Sequence, residues 1–423
     1  MDKLALYMVY IWTIVAVGRP QDIYPVLKVI NPGDWAAGLS IVFYFLFADK
    51  RRPVLSTPEF KLFFVFVAVA ILATPFGVYP RISTYFLRDF FLKFGIYLYL
   101  VAKLITTEER VEGMIKALLL SGFMMAVAAV TQTEAGVRTG GGSTYDPNDL
   151  AALIVMTLPL AVIQIQTTKN VLWRLFCLGG IIVSLIGLIA TQSRGGFIGL
   201  IIIVIFASLT KVQGFSKKRM IVLAVFMGIV FAMNAGPEYK ERISTILGDV
   251  SSLQAGSSRM LVWKRSLVIA SDHPVLGVGP NGFVNAYGYY LDRGIFTGDI
   301  RREVYTGKWS AAHNSFLQVL VEMGILGLIV FIWIIIYAFR NFRQLKILYS
   351  EGKISERLES QVIALEMALV GYLACGFFLS HAYSSTMYLI FILSGAMIGI
   401  VFDELLAMES QKSRVITVPP ITG

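Results

Sequence analysis

The chain has 423 residues, 56% of them hydrophobic and 15% charged, with a mean hydropathy of +0.70. Water-soluble domains carry about 25% charged residues, so this composition excludes a soluble globular protein and indicates a polytopic membrane protein. The net charge of +10 does not call for a nucleic-acid partner, because in membrane chains a basic excess marks cytoplasmic loops.

A helix that crosses the hydrocarbon core needs roughly 17–25 apolar residues, and about twelve runs come near that length. They lie near residues 4–18, 34–48, 60–75, 85–104, 113–131, 148–166, 172–190, 194–211, 218–236, 313–339, 361–381 and 384–403. The first is followed by Gly18-Arg19-Pro20, which is not a small-x-small cleavage site, so it reads as a membrane segment rather than a cleaved signal. The first two runs are short, and Arg19, Pro20, Pro25 and Pro32 lie between them, which leaves a re-entrant or interfacial pair open. Lys50-Arg51-Arg52, Lys103 with Arg110 and Lys116, Lys169 with Arg174, Lys211 with Lys217 to Arg219, Arg340 to Arg357, and Lys412 with Arg414 follow the even-numbered runs. The positive-inside rule then puts both termini in the cytoplasm and the long passage from Gly236 to Ala312 outside. The expected fold is all-α, with about twelve transmembrane helices and a large periplasmic loop between helices 9 and 10. In residues, helices 1–9 occupy 1–236, the loop with its amphipathic helices 237–312, helices 10–12 residues 313–403, and a cytoplasmic tail 404–423. Cys177 and Cys375 both sit in apolar runs, so neither a disulfide framework nor a thiolate metal site is expected.

Candidate chemistry gathers on the outer face. Arg194 stands where run seven turns into run eight, ahead of Gly195, Gly196 and Gly199. It reads either as a snorkelling interfacial arginine or as an anion clamp at a helix N-terminus, and the glycines either admit a phosphate or pack helices. His313 ends the long loop; a neutral imidazole there can take a proton from a hydroxyl. His273 precedes a proline in a turn, and His381, at the outer end of run eleven, is a second candidate. The amphipathic stretch Arg259 to Ile269 reads as an interfacial helix anchored through Trp263, or as an anion site through Arg259, Lys264 and Arg265. Six residues place Arg259 and Arg265 about 120° apart on one helix, so at most part of this set faces a single site. Asp146-Pro147-Asn148-Asp149 reads as a capped helix start, or as carboxylates that orient a sugar hydroxyl or hold a cation. Gly277-Val278-Gly279-Pro280-Asn281-Gly282 matches a dinucleotide loop by letters alone, since Pro280 interrupts it and no strand precedes it. Tyr287, Tyr289 and Tyr290 suit sugar stacking or an aromatic belt, and Asp89 with Arg88 or Lys93 suits an internal pair or a cation site.

Arginines, a histidine and glycines on one face suit a lipid-borne substrate with an anionic headgroup. The motifs Asp146-Pro147-Asn148-Asp149-Leu150-Ala151, Ser193-Arg194-Gly195-Gly196, Gly277-Val278-Gly279-Pro280-Asn281-Gly282-Phe283 and His313-Asn314-Ser315-Phe316-Leu317-Gln318 with Glu322-Met323-Gly324 follow one another around the long loop. In this the sequence resembles the O-antigen ligase and O-antigen polymerase superfamily of bacterial membrane glycosyltransferases. The resemblance implies a GT-C-like fold in the inner membrane. It also implies a metal-independent, inverting transfer of glycan from undecaprenyl diphosphate, without a cofactor, to lipid A-core, to another lipid-linked glycan or, in relatives, to protein. By the same resemblance His313 is the general base or orients the acceptor, and Arg194 and Arg259 bind the diphosphate; the residues themselves add Arg265 as a candidate for the diphosphate and Asp146, Asn148, Asp149, Tyr287 and Asn314 as candidate acceptor or sugar contacts. Two readings compete: a transporter of lipid-linked sugar, although no internal repeat is visible and the charges crowd one face, and a metal-assisted transferase using Asp89, Asp146 or Asp149.

Overall fold

The computed structural model describes residues 2–47, 54, 57–132, 140, 145–210, 259–296 and 310–416. The run at 218–236, Gly141 and Gly142, and the loop residues 237–258 and 297–309 lie outside the described residues.

Every regular element described is helical. Apart from short helical turns at Pro20–Ile23, Pro25–Lys28 and Thr74–Phe76, these are in chain order α1 (Asp2–Gly18), α2 (Pro32–Phe47), α3 (Pro58–Ala73), α4 (Pro80–Phe86), α5 (Lys93–Leu104), α6 (Glu108–Thr131), α7 (Pro147–Thr167), α8 (Val171–Thr191), α9 (Arg194–Leu209), α10 (Arg259–Asp272), α11 (Phe283–Asp292), α12 (Ser315–Ser350), α13 (Glu356–Gly376) and α14 (Ser385–Ile416). Seven membrane-crossing candidates are long and apolar enough: α3 with its following turn, α6, α7, α8, α12, α13 and α14, while α2 and α9 are shorter apolar helices. The protein is thus a multi-pass membrane protein, all-helical among the described residues. Eleven of the twelve apolar runs coincide with helices, but seven helices, not twelve, meet the length and hydropathy of a full span among the described residues. The run at 85–104 is part of a longer, broken element: α4 and α5 are joined by a π-helical turn over Leu87–Leu92. The final helix runs on past residue 403 to Ile416.

The centre of the bundle is α7, buried along almost its whole length from Leu150 to Ile163 and packed between α6, α8, α9 and α13. Gly196 and Gly199 let α9 come close: a Cβ at Gly196 would stand 2.6 Å from the Ala151 Cβ, and one at Gly199 would meet Cys375 and Val155. These glycines therefore serve helix packing, as small residues do in membrane bundles. At the far end of α7 the helices are tied by ions. The Arg357 guanidinium spans Glu109 and Glu112, at 2.7 and 2.6 Å, and Lys116 adds a 2.6 Å contact to Glu112.

The long α12 is not one rod. Gly324 has φ 64 and ψ −166, so Ser315–Met323 and the spanning part below it are separate helical segments. The break frees backbone groups, and the turn Pro274–Phe283 satisfies them. The amides of Val278 and Gly279 donate to the carbonyls of Val321 and Glu322 at 2.8 and 2.9 Å, and the amide of Ile325 donates to the Pro274 carbonyl at 2.8 Å. The Glu322 carboxylate, 1% exposed, accepts from the amides of Asn281 and Phe283 at 2.8 and 3.2 Å, and so caps α11 from another helix. The Gly277–Gly282 motif is thus a docking turn, held on a third side by the Val78 amide, which donates to the Val278 carbonyl at 3.1 Å.

Gly324 combines a left-handed φ with a place where a Cβ would overlap the Val275 carbonyl. An alanine there meets about 1–2 kcal/mol of backbone cost before the overlap is counted. Gly324→Ala is expected to lower the thermal unfolding midpoint of the purified protein, whereas Gly38→Ala, in α2 with open space around it, leaves the midpoint unchanged or raises it.

Candidate functional site

The N-termini of α7, α9, α12 and α14 come together at one end of the bundle, around the turn Phe377–Ser384 that joins α13 to α14. Each of the first three carries a side-chain cap. Asp146 Oδ1 accepts from the amides of Asn148 and Asp149 at 2.6 and 2.9 Å, Ser193 Oγ from Gly196 at 3.2 Å, and Asn314 Oδ1 from Phe316 and Leu317 at 2.9 and 3.0 Å. Ser193 Oγ also donates to Asn148 Oδ1 at 2.9 Å, which locks the start of α9 onto the start of α7. Asp146, Asn148 and Asn314 are therefore first of all the residues that build these helix ends. Helix N-termini carry partial positive charge, so their convergence makes an electropositive floor even where their amides are capped.

Arg194 is the first residue of α9, set at the rim by Gln192, whose φ of 49 turns the chain sharply after α8. A Cβ on the adjacent Gly195 would stand 3.2 Å from that of Phe378. The guanidinium of Arg259, at the start of α10, lies 5.7 Å from the centre of the same Phe378 ring. Trp263, one turn on, meets Phe377 edge-on at 5.6 Å, so α10 rests on this turn through its tryptophan. Phe378 thus lies between the segments that carry Arg194 and Arg259.

His313 reaches the same turn from the other side. Its amide donates to Ser380 Oγ at 2.8 Å, and its backbone is left-handed, with φ 49. Such a conformation is uncommon for a residue with a Cβ and is found where the surroundings over-determine it. Ser315 Oγ donates to the Leu379 carbonyl at 2.8 Å and accepts from the His381 amide at 3.0 Å, and Gln318 Oε1 accepts from Ala382 at 3.2 Å. Burial holds the His313 imidazole below its ordinary pKa, the positive charge of Arg259 pushes it further down, and the carboxylates of Asp146 and Asp149 push back. The ring is accordingly neutral near neutral pH, with a lone pair able to accept a proton.

His313, Arg194, Arg259, Asp146, Asn148, Asp149 and Asn314 are therefore gathered around one turn. Arg265 and Tyr287 point elsewhere. The Arg265 guanidinium donates to the Tyr287 hydroxyl at 2.7 Å and packs over Phe296 at 5.0 Å, inside a small outer core formed by α10 and α11. That divergence from Arg259 is what helical geometry requires of residues six apart. His273 faces the ring of Tyr290 at 6.5 Å, and Asp89 pairs with Arg88 at 2.9 Å.

One contact was hidden in the sequence. His381 Nε2 stands 2.6 Å from Asp149 Oδ1, joining the start of α7 to the turn after α13 across more than half the chain. Tyr372 fixes the histidine further by donating its hydroxyl to the His381 carbonyl. Residue spacing carries no trace of such a pair; the only signal was that both residues end helices on the same face.

Residues 179–332 match the family model described as O-Antigen ligase. A stretch of 154 residues is also 28% identical to the Exopolysaccharide production protein ExoQ of Rhizobium meliloti (strain 1021), spanning 36% of this chain and 33% of that protein. The family match takes in Arg194, Arg259, His313 and the Gly324 break, and leaves Asp149 and His381 outside it. The matched domain and this relative support a likeness of residues 179–332 to the O-antigen ligase and polymerase superfamily.

Proposed function

We propose that the protein is a membrane glycosyltransferase that moves a glycan from undecaprenyl diphosphate to an acceptor hydroxyl, in the manner of an O-antigen ligase. The work is done at the periplasmic face of the bacterial inner membrane, with both termini in the cytoplasm. The observation that carries this reading is the meeting of Arg194, Arg259 and His313 around the Phe377–Ser384 turn.

In this mechanism His313 accepts the proton of the acceptor hydroxyl as its oxygen bonds to the anomeric carbon. The bond from that carbon to the diphosphate oxygen breaks, and undecaprenyl diphosphate leaves with the bonding pair. A single displacement inverts the anomeric centre. Arg194 and Arg259, above the positive helix ends, stabilise the charge that grows on the leaving group and take the part a divalent cation plays elsewhere. Arg265, buried against Tyr287, supports the diphosphate site by holding α10 and α11 in place. Asp146, Asn148 and Asn314 shape the helix ends on which acceptor and donor rest. Transfer is favoured over transport of lipid-linked sugar because the charged candidates sit at helix ends, whereas transporters keep functional charge near the bilayer midplane.

A second reading is polymerase activity, in which the acceptor is another lipid-linked glycan rather than lipid A-core. The similarity to ExoQ, a protein of exopolysaccharide production, favours it. Gel analysis of surface glycan in a deletion strain separates the two: lipid-linked polymer left without its acceptor marks a ligase, and acceptor capped with single repeats marks a polymerase.

Arg194→Ala is expected to lower transfer about a hundredfold or more. His313→Ala lowers it on the order of 10²- to 10⁴-fold. Both proteins should still accumulate in the membrane, and normal glycan attachment in both would overturn the assignment. Wild-type transfer measured in excess chelator should persist; its loss would restore the metal-assisted reading. The acid limb of the rate profile reports His313, since protonation removes the base. Because Arg259 pushes this histidine's pKa down, Arg259→Gln should move the limb to higher pH, while Arg259→Lys, which keeps the charge, should leave it in place; kcat/KM against pH measures both.

A further inference from the structure

The turn that follows α1 reaches the same end of the bundle as His313. Tyr145, next to the Asp146 cap, donates its hydroxyl to the Val17 carbonyl at 3.0 Å and so ties this turn to the start of α7. Arg19 has φ 46 and ψ 51, a left-handed backbone at a residue with a long charged side chain. Its Nε lies 3.5 Å from Asp22 Oδ2, and the Asp22 side chain is 5% exposed. The charges of Arg19, Asp149 and Asp22 all act on the Tyr145 phenol, whose pKa is pushed up to about 12, mainly by burial. The same Asp149 holds His381 at 2.6 Å. Two buried polar atoms here, Gln21 Oε1 and His381 Nδ1, have no hydrogen-bond partner among the described residues. Buried polar atoms are almost always paired, so two on neighbouring segments point to a hydroxyl-bearing ligand.

We propose that Arg19, Gln21 and Asp22, together with Tyr145, Asp149 and His381, form the subsite that holds the sugar hydroxyls of the accepting glycan; this rests on the transferase reading above. The composition separates it from the diphosphate site. Arg19, and Lys28 at 3.9 Å from Asp22 Oδ1, are balanced by the carboxylates of Asp22 and Asp149, which would repel a diphosphate but accept from hydroxyls. A guanidinium, an amide and an imidazole interleave donors with acceptors, as a neutral polyhydroxyl requires. The left-handed Arg19 sets the first of these groups against the others, in the way strained backbone is retained at binding sites.

The test uses the full chain in lipid nanodiscs, with the host's own lipid-linked glycan as donor. Acceptor is titrated in two series, one with the repeat-unit oligosaccharide released from that donor and one with lipid A-core. Arg19→Asn, whose new side chain tolerates a left-handed backbone, and Gln21→Leu should each raise acceptor KM about tenfold, the size of one lost hydrogen bond. Donor KM and the binding of undecaprenyl diphosphate should stay at the wild-type level, which also shows that the variants are folded. An unchanged acceptor KM in both variants would overturn the subsite, and so would a loss of undecaprenyl diphosphate binding in both. A wild-type protein that transfers to neither acceptor would bring down the transferase reading itself.

Discussion

The arrangement depends on a helix that stops and restarts. Where α12 breaks at Gly324, the carbonyls of Val321 and Glu322 and the amide of Ile325 lose their helical partners. Near a bilayer an unsatisfied backbone group costs several kcal/mol, so irregular backbone persists only where protein supplies the missing bonds. Here the Pro274–Phe283 turn supplies all three, and the Glu322 carboxylate returns the service by capping α11. This exchange fastens the outer helices to the membrane bundle at a fixed height. Because α10 leads into the turn, the exchange also sets Arg259 beside Phe378 rather than in solvent.

Charge is distributed around that anchor in two regions. Phe378 lies between the segments that carry Arg194 and Arg259, near converging helix N-termini whose dipoles favour an anion. Across His313 lie Asp149 and His381, and beyond them Asp22 and Arg19, where carboxylate and cation alternate. His313 feels both regions: Arg259 disfavours its protonation, and Asp146 and Asp149 favour it. An imidazole so placed stays neutral while bordering both a positive and a balanced environment, which on the proposed function would keep donor and acceptor apart.

Much of the scaffold was legible in the sequence, because membrane helices announce themselves by long apolar runs and eleven of the runs coincide with helices. What apolarity could not reveal were interruptions within a run. The π turn at Leu87–Leu92 and the break at Gly324 leave hydropathy untouched, and their cause lies in partners elsewhere in the chain. The Asp146-Pro147 cap was readable because capping is local chemistry. The role of Gly277–Gly282 was not, because its partners stand some forty residues later, in Val321 and Glu322. The divergence of Arg259 and Arg265 followed from helical arithmetic alone. The Asp149–His381 contact, and with it the approach of Arg19, required knowing which helix ends share a corner of the bundle.

The turn Phe377–Ser384 shows why the site assembles only in the complete bundle. It contributes little reactive chemistry except His381, yet Phe378 lies against α9 and beneath Arg259, Ser380 accepts the His313 amide, and Leu379, His381 and Ala382 bond to the start of α12. Three of these bonds use backbone atoms of the turn, so they constrain its path more than its side chains. A short segment held by its backbone can vary in sequence around a fixed geometry. On the proposed function, acceptor preference would then be set by its neighbours, the end of α1 and the start of α7, without moving the arginines proposed to meet the donor.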